Sequence, residues 1–177
     1  MGRLLVVAVT NSADQVIMGQ MLSLLINERT GTSVEVIQQG DIEKCHEAVL
    51  KGKANIYLSY IGTGYADMTG STKVDDPQMV YTLVNQGYLE KFDMVWLRPF
   101  GFEGPLDPGR NGKDQSVSLA APVTTKDVLR KFPVLDRVIN KLAGRIDDAI
   151  INELAKEAGN GDVRELVKDF LKDQKLI

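Results

Sequence analysis

The stretch TSVEVIQQGDIEKCHEAVLKGKANIYLSYI, residues 32–61, runs from one β-rich segment to another through a short amphipathic helix. Val34, Val36 and Ile37 mark a strand over 32–38, and ANIYLSYI (54–61) marks the next. Between them Gly40-Asp41 opens a helix with Asp41 as its N-cap. Ile42, Cys45, Ala48 and Val49 form the inner face of that helix, and Gly52 closes it. Two strands joined this briefly through a helix lie parallel, because the helix carries the chain back to the starting edge of the sheet.

The same grammar extends in both directions. Residues 3–9 are an apolar, β-branched run, read as a buried strand. Asn11, Ser12 and Asp14 supply helix-starting chemistry, and the segment up to Gly31 carries Ile17, Met21, Leu24 and Ile26 near helical spacing. After residue 61 the chain breaks on Gly62, Thr63 and Gly64, followed by a polar loop over 69–76. A helix begins near Pro77, with Val80, Leu83, Val84 and Leu89 inside. FDMVWLRPFGF (92–102) reads as a fourth strand, residues 103–115 as a surface loop by composition, and SVSLAAPV (116–123) as a fifth strand. Helices follow over 124–132, 134–142, 147–158 and 162–172, the last opened by the capping-box pair Asp162 and Glu165. The expected fold class is α/β, a three-layer sandwich around a mostly parallel sheet of about five strands.

Composition narrows the function classes. The chain has 177 residues, 44% hydrophobic and 25% charged, with a net charge of −3. That suits one globular domain and argues against a nucleic-acid partner. No apolar run reaches the ~20 residues that span a bilayer, so direct membrane insertion is not expected. The single cysteine, Cys45, excludes an internal disulfide. RLLVVAVT (3–10) reads as a strand rather than the apolar core of a leader. The expected location is therefore extracytoplasmic, in the periplasm or at the cell surface, if a leader preceded Met1, and cytoplasmic otherwise.

Catalytic chemistry finds no support. Gly62-Thr63-Gly64 lacks the third glycine of a dinucleotide loop, whose place is taken by Asp67, and lacks the lysine of a nucleotide phosphate loop. The one histidine, His46, lies between Cys45 and Glu47 and reads as a solvated helix residue, while Cys45 reads as a buried thiol. The two face different ways and form no metal set. No catalytic residue, metal or cofactor is expected, and the protein is not expected to be an enzyme. The aromatics are more informative: Tyr60, Tyr65, Trp96, Phe100 and Phe102 fall at or just after the carboxyl ends of strands, the edge where open α/β sheets bind ligands. Trp96 reads as core, whereas Tyr60 and Tyr65, flanked by glycines, read as exposed in a crevice.

Three stretches together carry a resemblance: TNSADQVIMGQMLSLLINERTG (10–31), QQGDIEKCHEAVLKGKANIYLSYIGT (38–63), and the closing run from VLDRVINKLAGRIDDAIINELAKE to VRELVKDFLKDQKLI (134–177). They resemble the substrate-binding proteins of quaternary-amine ABC importers, of the glycine betaine, choline and carnitine type. The resemblance implies a lobe of the type II periplasmic-binding-protein kind and a protein that takes part in osmoprotective transport. Residues 1–104 and 116–177 resemble the two halves of the family's first lobe, and residues 105–115 stand as a loop in place of the second. The family holds a trimethylammonium group in a tyrosine cage, a cation–π arrangement. Carried over, Tyr60 matches a cage tyrosine and Thr63 a neighbouring polar contact. Thr10 stands where the family has a basic residue, and Leu106 where it has an aromatic one. Thr10, Asn11, Gly40 and Asp41 at the same edge, with Tyr65 and Phe102, complete the expected ligand-binding set.

The resemblance implies a small quaternary-amine-like ligand in a crevice that a second subunit, as in a homodimer, or importer subunits must complete. Phe100, Phe102, Leu106 and Tyr65 are the apolar residues expected to meet that cover. The alternative expectation is an interaction module that keeps the fold and has lost small-molecule binding.

Overall fold

The computed structural model describes residues 4–70, 76–106 and 118–177. Strands β1 (Leu4–Val9), β2 (Ser33–Gln38) and β3 (Ile56–Tyr60) alternate with helices α1 (Ala13–Thr30) and α2 (Ile42–Leu50), as the sequence pattern requires. Gly31 ends α1 in the left-handed region at φ 73°, and its N–H bonds the carbonyl of Asn27. Asp41 caps α2, accepting the Lys44 N–H at 2.8 Å. Both terminators are local devices, which is why they were legible in sequence.

Past β3 the structure departs from expectation. The glycine-bearing stretch is no loop: β3 passes straight into α3 (Ile61–Thr69), with Tyr60 as its N-cap. Two glycines in nine residues disfavour a helix locally. Here tertiary contact overrides propensity, because a Cβ on Gly64 would stand 2.7 Å from Trp96 Cζ2 and 2.9 Å from Val84 Cγ1. The helix presses so closely on its neighbours that only glycine fits. Of the polar loop expected over 69–76, residues 71–75 lie outside the described residues.

Helix α4 (Pro77–Phe92) leads to a short β4 (Met94–Trp96), then β5 (Glu103–Gly104), β6 (Ser118–Thr125), α5 (Lys126–Lys131), α6 (Leu135–Ile139), α7 (Asp148–Ala158) and α8 (Val163–Asp173). The fourth strand is therefore shorter than the run 92–102. Residues beyond it still follow β6, with Leu97 N–H bonded to the Pro122 carbonyl and Phe100 N–H to that of Ala120. Residues 103 and 104, expected in a loop, form a strand pair with β6, and the remainder of that loop from 107 on lies outside the described residues.

The strand order is β2-β1-β3-β6-β4, with β5 beside β6. The sheet is mixed, not mostly parallel: β1 pairs parallel with β2 and β3, while β6 runs antiparallel to β3, β4 and β5. Antiparallel pairing, unlike parallel pairing, needs no crossover helix. β6 re-enters at the edge where β3 ends, so Ala120 lies opposite Tyr60 and Thr124 opposite Ile56.

Helices cover both faces, giving three layers. Leu5, Val7, Val9, Ile56, Leu58 and Tyr60 point into one core with α1, α6, α7 and α8. Ala8, Tyr57, Trp96, Ala121 and Val123 point into the other, with α2 and α4. Phe100 and Phe102, expected at a docking surface, stack at 6.0 Å in the first core and are buried. Gly64→Val is expected to lower stability by about 1–3 kcal/mol through overpacking against Trp96 and Val84, read as a lower urea midpoint at unchanged slope.

Candidate functional site

The carboxyl edge of the sheet gathers three chain segments: Thr10 to Ser12 after β1, Gly40-Asp41 after β2, and Gly62-Thr63 after β3. Each follows its strand end at once, so the order β2-β1-β3 sets them side by side. β6 starts at the same edge, where Ser118 Oγ accepts the Gly62 N–H at 2.8 Å. Gly40 holds φ 82°, and both it and Asn11 are exposed.

Tyr60 does not stand open at this edge. It is 1% exposed, and its hydroxyl donates to a carboxyl oxygen of Asp14, itself 1% exposed. The other Asp14 oxygen accepts the Leu106 N–H at 3.0 Å. Gln15 joins the network: its amide donates to the Leu58 carbonyl at 3.0 Å and to the Tyr60 hydroxyl at 3.2 Å, and its oxygen accepts the Thr10 N–H at 3.2 Å. The hydroxyls of Thr10 and Ser12 lie 3.1 Å apart and close the set. Burial first, then the charge of Asp14 and its hydrogen bond, hold the Tyr60 phenol well above its ordinary range. The expectation of an exposed ring fails because the tyrosine ends a strand whose even positions face a core, and its one polar atom must be satisfied there.

The other expected residues divide. Thr10 lies in the buried network, whereas Asn11, Gly40 and Asp41 line the open edge. Thr63 and Tyr65 are half-buried on α3. Phe102 is core. Sequence reading missed Asp14, Gln15 and Ser118. A signal for the first two was present: consecutive polar residues at the start of a helix apolar around its circumference must be buried and paired.

The opposite face of β3 carries a second polar group. Tyr57 and Tyr60 are an odd number of residues apart and so point to opposite sides. The Tyr57 hydroxyl lies 2.8 Å from Nδ1 of His46. The imidazole meets the rings of Tyr57, Tyr88 and Phe92 edge-on, with centroids at 5.7, 5.8 and 4.7 Å. His46 is thus half-buried in an aromatic cluster rather than solvated, because α4 folds against α2, a contact outside any local window. Cys45 on the same helix is buried as expected, and burial pushes its thiol up to about 12.

No group of three or more His, Cys, Asp or Glu residues able to hold a metal ion occurs among the described residues. No helix among them is long and apolar enough to cross a membrane.

The mixed sheet with helices on both faces matches periplasmic-binding-protein-like structures in fold. Residues 3–104 and 65–173 match the family described as the substrate-binding domain of the ABC-type glycine betaine transport system, and the chain belongs to that family. Its members bind solutes for ABC importers and are not enzymes. Among curated proteins, the ergothioneine transport permease/ergothioneine binding protein EgtU of Helicobacter pylori (strain G27) is 28% identical over 102 residues, 55% of this chain but only 18% of that protein. Among solved structures, a glycine betaine/carnitine/choline ABC transporter protein aligns over 97% of this chain and 99% of its own, with TM-score 0.85 and 18% identity. Apo YehZ from Escherichia coli aligns over 98% and 99%, with TM-score 0.78 and 14% identity. Lactococcal OpuAC, closed and complexed with glycine betaine, aligns over 98% and 96% with TM-score 0.59 and 10% identity. At these identities the structural likeness is one of fold.

Two outcomes are expected. Tyr60→Phe removes a donor from a buried carboxyl group and a partner from Gln15, and should cost about 1–3 kcal/mol, measured by urea unfolding. For His46, burial is the main cause of a pKa below its ordinary 6.5; Lys91 lowers it further, and Asp67, Glu47 and Glu43 oppose the shift. A depressed folded value means that the unfolded chain takes the proton more readily. Stability is then fully present above the unfolded value and is lost as pH falls through the folded one. Between about pH 7.5 and about pH 5, the native protein should lose more stability than His46→Gln, compared by urea midpoints.

Proposed function

We propose that the chain is the first lobe of a solute-binding protein for an ABC importer, working outside the cytoplasmic membrane. Its ligand is a small betaine-like solute held at the edge formed by Asn11, Gly40, Asp41, Gly62 and Thr63, and a second copy of the chain or an importer subunit completes the crevice. One observation carries this reading: three strand ends converge beside the start of β6 on one open edge. Family membership supports it, as do the ligands named for its relatives, glycine betaine and ergothioneine, both betaines.

The cover does more than exclude water. With the Tyr60 ring buried, this edge lacks the aromatic face that the family resemblance assigned to it. Tyr65 is half-buried beside it. A single exposed ring contributes ~0.5–1 kcal/mol, whereas a millimolar complex needs about 4 kcal/mol. The remaining faces must come from the covering surface. The locked Tyr60–Asp14 pair also favours a second reading, an interaction module that has given up small-molecule binding.

Calorimetry with glycine betaine, choline, carnitine and proline betaine, run beside sedimentation of the same samples, separates the two. The solute-binding reading expects heat for at least one compound, growing with the dimer fraction or on addition of importer subunits. Absence of heat for all four, both where the chain is dimeric and with importer subunits added, removes it and leaves the interaction module.

A further inference from the structure

On the sheet face away from the Asp14–Tyr60 network, helices α2, α3 and α4 enclose a pocket of about 350 Å³. That volume lies within the ~300–1,000 Å³ range of small-molecule sites. Its walls are aromatic and aliphatic: Tyr57, Tyr88, Phe92, Ile42 and Met68. Tyr57 and Tyr88 are core residues; the Tyr57 hydroxyl is engaged with His46, and the charge of Asp67 acts on the Tyr88 phenol. The His46 ring is fixed through Nδ1, and its Nε2 has no protein partner among the described residues.

The charges around the pocket are unbalanced. Asp67 and Glu43 line it, and Glu47 lies close enough to act on His46, against the single ammonium of Lys91. A cation is already drawn to these rings, since Lys91 Nζ sits 5.2 Å from the Phe92 centroid. Ring faces attract cations through their quadrupole, and neighbouring carboxylates strengthen the field.

We propose that this pocket is a second binding site, taking a small organic cation with an apolar or aromatic body. The body packs among Tyr57, Tyr88, Phe92 and Met68. The charge faces Asp67 and displaces the Lys91 ammonium from the Phe92 ring. The site lies on the other side of β3 from the Asp14–Tyr60 network; Thr63 lines both it and the strand-end edge, while His46 and its ring partners belong to the pocket alone.

With one histidine in the chain, the imidazole signals of His46 report on the pocket directly. The probe is benzyltrimethylammonium, with benzoate as the anion of matching ring. The cation should shift the His46 signals saturably in the millimolar range at neutral pH, and benzoate should not. Asp67→Asn should weaken the response about three- to fivefold, the loss expected for one exposed charge pair. Tyr60→Phe should leave it unchanged. If Asp67→Asn does not fold, Glu43→Gln, at an exposed position, should weaken the response in the same direction. No shift at millimolar probe, an equal shift with benzoate, or a response indifferent to a folded pocket variant each overturns the proposal.

Discussion

A carboxyl group at the end of a sheet, shut away from water, constrains everything packed around it. Asp14 meets that constraint with the hydroxyl of Tyr60 and the N–H of Leu106, bringing together three parts of the chain that are remote in sequence. Gln15 adds the Leu58 carbonyl and the Thr10 N–H. Leaving any of these buried groups unpaired costs more than the pairing itself contributes. The start of α1, the end of β3 and the segment after β5 are therefore fixed relative to one another. A Cβ on Gly104 would stand 2.6 Å from the Tyr60 ring and 2.7 Å from Asp14, which shows how tightly the network is roofed.

That fixed point determines what the sheet edge offers a ligand. The tyrosine that family resemblance assigns to a cation cage here supports the rim from below. At the surface of the edge stand instead Asn11, Gly40, Asp41 and the first turn of α3, whose Gly62 N–H is held by Ser118. β6 matters doubly: its antiparallel entry closes the sheet beside β3 and delivers that serine.

β3 divides two chemistries between its faces. On one side Tyr60 satisfies a carboxyl group; on the other Tyr57 positions an imidazole among aromatic rings. An odd spacing along the strand sends the two tyrosines to opposite faces of the sheet. The chain belongs to a family of substrate-binding domains of ABC-type transport systems.

Much of the architecture was legible in the residues. Asp41 as a cap, Gly31 as a stop, Pro77 at a first turn and the strand–helix–strand order all act within a few residues of their own position. The closing helices showed their inner faces through period alone. The quoted stretches were also enough to point to the family. What sequence could not fix were outcomes set by distant partners. Gly64 lies in a helix because that turn packs too closely on Trp96 and Val84 for any larger residue. β6 runs antiparallel to β3 through a pairing of residues more than fifty apart in the chain, which no local window contains. His46 lost its solvent to α4, and Tyr60 turned inward because Asp14 awaited a donor. Local free energies set the elements and their ends; the burial of polar groups, and the steric contacts that follow, emerge only when elements far apart in the chain meet.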